Sequence, residues 1–155
     1  MVSHIPFQQK EGFCGPASLK IVLNSFGIKR TEKQLAKKSY CTSSQGATAF
    51  DLLETAKKSG LKGFMQDNCN ISDIIRYLKR KKKHAIIVEW FLEDDGHFCV
   101  VAKIDKENIY LQDPDLGHLR AIRLDIFKRI WFSFEGSFMK EKEDLVLRRL
   151  IVFYK

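Results

Sequence analysis

A chain of 155 residues with 45% hydrophobic content and 12 phenylalanines can bury a core, which excludes an intrinsically disordered polymer. No apolar run approaches the roughly 20 residues of a membrane-crossing helix, and the opening MVSHIPFQQKEG lacks the basic-then-apolar layout of a secretory signal. The formal net charge of +8 suits acidic partners, but no RNA-binding signature or helix-turn-helix spacing accompanies it, so nucleic acid is not an expected partner.

No repeat or flexible linker divides the chain, which predicts one domain over residues 1–155. The first helical pattern lies in QQKEGFCGPASLKIVL, Gln8 to Leu23. Pro16 suits a first helical turn, because its missing N–H is one of the donors that turn leaves unpaired. Ala17, Leu19, Ile21, Val22 and Phe26 recur at helical spacing, and Gly27 can stop the helix. Cys14 therefore stands at a helix N-terminus, whose partial positive charge favours an anion. A cysteine anion is a thiolate, the reactive form. Taken alone, Cys14 reads more readily as a small buried apolar residue.

TEKQLAKKS follows, with Thr31 and Gln34 placed as a capping box, then TAFDLLETAKKSG, capped by Thr48 and stopped at Gly60. LKGFM reads as a short strand. SDIIRYLKRKKK reads as a fourth helix begun by Ser72, with its basic run complementing the helix C-terminus. AIIVEWFL, HFCVVAKI and NIYLQD are short and rich in β-branched and aromatic residues, and EDDG and DKE turns separate them. They predict an antiparallel meander. LRAIRL is a further strand, DIFKRIWF a short helix begun by Asp125, and RRLIVFYK a closing strand. Helices first and sheet second is an α+β pattern: an N-terminal helical layer packed on a C-terminal antiparallel sheet, with a cleft between layers.

Cys14, Cys41, Cys69 and Cys99 show no disulfide framework, and no CxxC or HxxxH pair suggests zinc. Free thiols in a reducing, cytoplasmic compartment are the expectation. His97 and Cys99 share a strand face, but no further metal ligands are evident, so Cys99 reads as core.

A nucleophilic Cys14 needs a base, and the base needs an orienting group. DDGHFCVV places His97 at a strand start, and IYLQDPD places Asp113 at the end of the following strand. Antiparallel strands joined by a tight turn bring those two positions together, so a carboxylate can hold one imidazole nitrogen while the other faces a thiol. Acyl chemistry also needs oxyanion donors. The Cys14 amide is one, and the side chain of Gln8 or Gln9 is another.

Gln8, then Cys14-Gly15-Pro16-Ala17, with Gly96-His97-Phe98 and Asp113-Pro114 further on, resembles the bacteriocin-processing, or double-glycine leader, peptidases within the papain-like cysteine peptidases. The likeness runs from about Ile5 to Asp115. It implies a papain-like fold and a Cys14–His97–Asp113 triad, with no cofactor and no metal. In that family the glutamine six residues before the cysteine lines the oxyanion hole, which selects Gln8 over Gln9. A peptide or protein substrate is implied, cut after small residues such as Gly-Gly in a leader. Well-known members are domains of peptide-exporting transporters. This sequence carries neither a membrane span nor a GxxxxGK[ST] motif, so it reads as a free-standing domain, a fragment, or the soluble partner of something else, with association with a membrane transporter as one expectation. The alternatives are a silent peptide-binding domain of the same fold, a thiol acyltransferase, and a basic nucleic-acid binder with incidental Cys and His.

Overall fold

In the computed structural model, which describes residues 4–93 and 95–155, three helices come first: α1 (Cys14–Ser25), α2 (Glu32–Lys38) and α3 (Ala49–Lys58). Then follow β1 (Lys62–Gln66), α4 (Ile71–Leu78), β2 (His84–Leu92), β3 (Asp95–Ile104), β4 (Asn108–Asp113) and β5 (His118–Arg123). The chain closes with α5 (Leu124–Ile130), β6 (Phe132–Ser133), β7 (Val146–Leu147) and β8 (Leu150–Tyr154). Residue 94, in the expected EDDG turn, and residues 1–3 of the opening lie outside the described residues.

The meander of β2, β3 and β4 forms as expected and is extended by β5, giving a six-stranded antiparallel sheet in the order β1-β8-β2-β3-β4-β5. The closing strand is thus central, inserted between β1 and β2. Side chains alternate across this sheet as its pleat demands. Ala85, Ile87, Phe98, Val100, Ile151 and Phe153 pack with Leu19, Leu23, Leu35 and Leu52 of α1, α2 and α3. Ile86, Val88, Trp90, Cys99, Val101 and Val152 pack with Ile74 and Tyr77 of α4 and Phe127 of α5. The expected helical layer is therefore α1–α3, and two short helices cover the opposite face.

Local chemistry explains the helix starts. Thr31 and Gln34 form the reciprocal capping box, and Thr48 accepts from the Asp51 amide. Two starts differ from expectation. α4 begins after Asn70 rather than at Ser72, because Asp73 reaches back to accept the Asn70 amide at 2.8 Å. α5 begins at Leu124, with Asp125 inside its first turn. α4 also stops at Leu78, so the basic run lies in the exposed turn beyond it. No helix among the described residues is long and apolar enough to cross a membrane.

Candidate active site

The helix N-terminus at Cys14 is unusually bare. Its N-cap, Phe13, has no side chain able to cap, and no acid occupies the first turn. By contrast α2, α3, α4 and α5 each carry an acid there, namely Glu32, Asp51, Asp73 and Asp125. The first-turn amides of α1, including that of Cys14, are left for an incoming anion. Gly12 sets the approach to this turn. Its φ is +76°, and a Cβ there would stand 2.3 Å from the Ser43 carbonyl oxygen. Glycine alone lets the 42–46 loop close against the residues before Cys14.

Ser18, fully buried one turn after Cys14, donates its hydroxyl to the Phe98 carbonyl at 3.0 Å. That bond ties α1 to the strand residue next to His97. His97 is buried, Cys14 is half-buried, and the imidazole and thiol are hydrogen-bonding neighbours. His97 Nε2 donates to Asp113 Oδ1 at 2.7 Å, which leaves Nδ1 for the sulfur side. Asp113, with no exposed surface, also accepts from the Asp115 amide at 2.9 Å and from Arg120 Nε at 2.6 Å.

These contacts set the charges. Burial opposes a charged His97, but hydrogen bonds to Asp113, Cys14 and Cys99 override it and raise the imidazole pKa far above its ordinary value. Burial likewise opposes a charged Asp113. His97, Arg120 and the Asp115 amide prevail and hold its pKa down to about 2. The pair is an imidazolium held by a carboxylate.

Trp90 and Arg120 are site residues that the sequence reading passed over. Trp90 pairs with His97 across β2 and β3, meets the imidazole edge-on at 5.6 Å, and donates Nε1–H to Cys99 Sγ at 3.3 Å. The Arg120 guanidinium lies over the Trp90 ring at 5.6 Å. A register signal existed for both. Trp90 is the cross-strand partner of His97, and Arg120 lies two residues beyond His118, the partner of Asp113, and so on Asp113's face.

Gln8 lies beside the turn that follows Asp113. The Gln9 amide donates to the Pro114 carbonyl at 2.8 Å. Gly117, at φ +72°, has room for no Cβ, since one would sit 2.9 Å from Gln8 Cβ. Gln8 is exposed, whereas the Gln9 amide oxygen is buried, so Gln8 is the side chain open to a ligand. Gly117→Val is expected to push Gln8 away and lower turnover toward that of Gln8→Ala, a loss of roughly 10²–10³ for an oxyanion donor. Steady-state kinetics on both variants, with unchanged thermal melts, check this; unaltered turnover in Gln8→Ala rules the donor out.

His97, Cys99 and Asp113 present ligand atoms within 4.8 Å of one another. Their chemistry does not fit a cation. Burial holds the Cys99 thiol at about 11, so it stays protonated, and both Asp113 oxygens are engaged by His97 and Arg120. Two surface depressions lie elsewhere: one of about 630 Å³ lined by Lys106, Arg123 and Lys128, the other by Ile5, Lys20 and Gln34. Neither touches Cys14, His97 or Asp113.

All four cysteines are free. Burial raises Cys41 and Cys69 to about 11, helped at Cys41 by the charge of Cys14 and at Cys69 by Asp73 and Asp67. With Cys99 also held protonated, Cys14 is expected to be alkylated alone by iodoacetamide at slightly acidic pH. Peptide mass spectrometry reads the result, and equal modification of the four thiols refutes it.

An antiparallel sheet whose rim carries histidine and aspartate against a cysteine-bearing helix start is a papain-like fold. A sequence profile of the Peptidase C39 family matches residues 3–140. A relative from Methanothermobacter marburgensis, described as an uncharacterized protein, is 34% identical over 127 residues, 80% of each chain. Among solved structures, a double glycine motif protease from an AMS/PCAT transporter, in complex with the leader peptide, superposes with a TM-score of 0.71. It is 18% identical, and the alignment covers 99% of this chain and 94% of that one. The peptidase domain of Streptococcus ComA, a bi-functional ABC transporter involved in a quorum sensing pathway, gives a TM-score of 0.72 at 20% identity, covering 99% and 98%. The chain belongs to the peptidase C39 family.

Proposed function

We propose that the protein is a cysteine peptidase that removes leader segments from peptides, cutting after small residues such as Gly-Gly. The observation that carries this reading is the hydrogen-bonded series Cys14–His97–Asp113, drawn from a helix start and two adjacent strands. His97, held as the imidazolium by its bond to Asp113, keeps the proton of the Cys14 thiol, and the sulfur attacks the scissile carbonyl as the thiolate of that ion pair. The developing oxyanion receives hydrogen bonds from the Cys14 amide and the Gln8 side chain. The tetrahedral adduct collapses as His97 delivers its proton to the leaving amine, giving an acyl-enzyme thioester. Water, deprotonated by the now neutral His97, then attacks the thioester, releases the acid and restores the thiolate beside the imidazolium.

The substrate class follows from the C39 match and the likeness to a double glycine motif protease bound to a leader peptide. The four free thiols suit a cytoplasmic setting, and the transporter-borne neighbours suggest a membrane transporter as associate. A channel admitting backbone but no larger side chains would reject bulky residues by steric clash, which discriminates more sharply than lost contact. The test is a matched peptide pair with the same helical leader, ending in Gly-Gly or Leu-Leu before the cut. Cleavage of the Gly-Gly peptide alone is expected. Equal cleavage of both refutes leader processing, and cleavage of neither by a thiol-reactive enzyme refutes the peptidase reading for these substrates.

A further inference from the structure

The strands of the sheet have two ends of different character. His97, Asp113 and the Cys14 end of α1 occupy one. At the other, Lys62, Tyr154 and His84 lie in register across β1, β8 and β2. Six steps along β2 from His84 to Trp90 at about 3.3 Å each put the two ends about 20 Å apart.

We infer that this second end is a docking face for an anionic lipid bilayer. Cations converge there from three stretches: Lys58 at the end of α3, Lys62 on β1, and Lys79, Arg80, Lys81 and Lys82 in the turn entering β2. All six are exposed, and among the described residues none pairs with a carboxylate. Two neighbouring lysines have other duties. Lys83 donates to the Ser25 carbonyl and Lys155 to the Phe26 carbonyl, closing the C-terminus of α1. Burial first, then the Lys155 charge, lowers the pKa of Lys83.

The acids at this end, Asp105 and Glu107, sit in the β3–β4 turn beside the cluster rather than within it, and six cations without carboxylate partners suit a sheet of negative headgroups, where each lysine or arginine adds attraction through the diffuse layer. Nucleic acid is the less fitting partner. The rings beneath the cations, Tyr77 and His84, are buried under Arg76 and Arg80 and stacked on one another, so they offer no base-stacking platform. α4 spans only 8 residues and packs its Ile74 and Tyr77 against the sheet, so it is not presented to a major groove. Docking by this end leaves Cys14 and His97 facing away from the bilayer and open to substrate.

The experiment is co-sedimentation of the protein with phosphatidylcholine vesicles, with and without phosphatidylglycerol, at low and high salt. Sedimentation only with phosphatidylglycerol, reversed by salt, is expected. Joint substitution Lys79→Gln, Arg80→Gln, Lys81→Gln and Lys82→Gln should weaken partitioning on the order of 10²-fold or more. A control of equal charge loss elsewhere, Lys33→Gln, Lys37→Gln, Lys38→Gln and Lys140→Gln, should retain most of it. Thermal melts establish that both variants fold, and peptide turnover, which the reading does not need, is expected unchanged. Equal sedimentation with neutral vesicles, equal loss in both variants, or binding of duplex DNA without vesicle binding would overturn the inference.

Discussion

Cys14→Ala and His97→Ala are each expected to lower turnover of a cleavable leader peptide by about 10⁴-fold or more, and the double variant should be little worse than either single. The two residues act as one unit: without sulfur there is no acyl-enzyme, and without imidazole neither proton moves. Their structural costs differ. Cys14 is half-buried, and its truncation removes one small side chain from a helix end. His97 is buried against Trp90 and bonded to Asp113, so its loss leaves a cavity and a carboxylate held only by Arg120 and the Asp115 amide. His97→Ala should therefore melt lower than Cys14→Ala, whereas both lose activity. Single-turnover assays alongside melts separate the two effects. Measurable multiple turnover in Cys14→Ala removes the nucleophile assignment.

Legibility in the sequence followed the range of the interactions. The approach of His97 to Asp113 needed only two strands and the short DKE turn, and the 2.7 Å bond realises it. Capping by Thr31 and Thr48 is equally local, since each cap closes within four residues. The position of β8 depends on pairings with β1 and β2 that no turn dictates, so its insertion mid-sheet was not legible. The same holds for Ser18, whose bond to Phe98 spans 80 residues. Arg120 was hidden differently. LRAIRL announces a strand, but its exposed alternation with apolar residues reads as a solvent face until the register sets Arg120 against a buried carboxylate. The start of α4 escaped because two candidate caps, Asn70 and Ser72, stand two residues apart, and the bond from Asp73 decides between them.

Asp113→Asn is the second variant with a large expected effect, and Arg120 is what makes it large. An asparagine can still offer its carbonyl to His97 Nε2–H, so ring orientation survives, as in Cys-His-Asn peptidases. The charge does not survive. Asp113 carries a pKa of about 2, so it is anionic throughout the working range, and the hydrogen bond its carboxylate accepts is one cause of the raised His97 pKa. Neutral asparagine withdraws that support while the Arg120 guanidinium remains nearby, now repelling an imidazolium. The His97 pKa must fall, and the alkaline limb of kcat/KM against pH should move to lower pH. Turnover near neutrality should drop by roughly 10–10³-fold. Arg120→Gln tests the account from the other side. Alone it weakens the hold on Asp113, letting burial push the carboxyl pKa upward, so the acid limb should move to higher pH. Combined with Asp113→Asn it removes the repelling cation and should return part of the lost alkaline range. Stability carries the same sign: the Asp113 contribution is present above the unfolded carboxyl pKa of about 3.9 and is lost as pH falls toward 2. Acid melts of the Asp113→Asn protein should therefore be flatter over that window than those of the unaltered chain. An unchanged alkaline limb in Asp113→Asn, with Arg120 still present, would show that the carboxylate orients His97 without charging it.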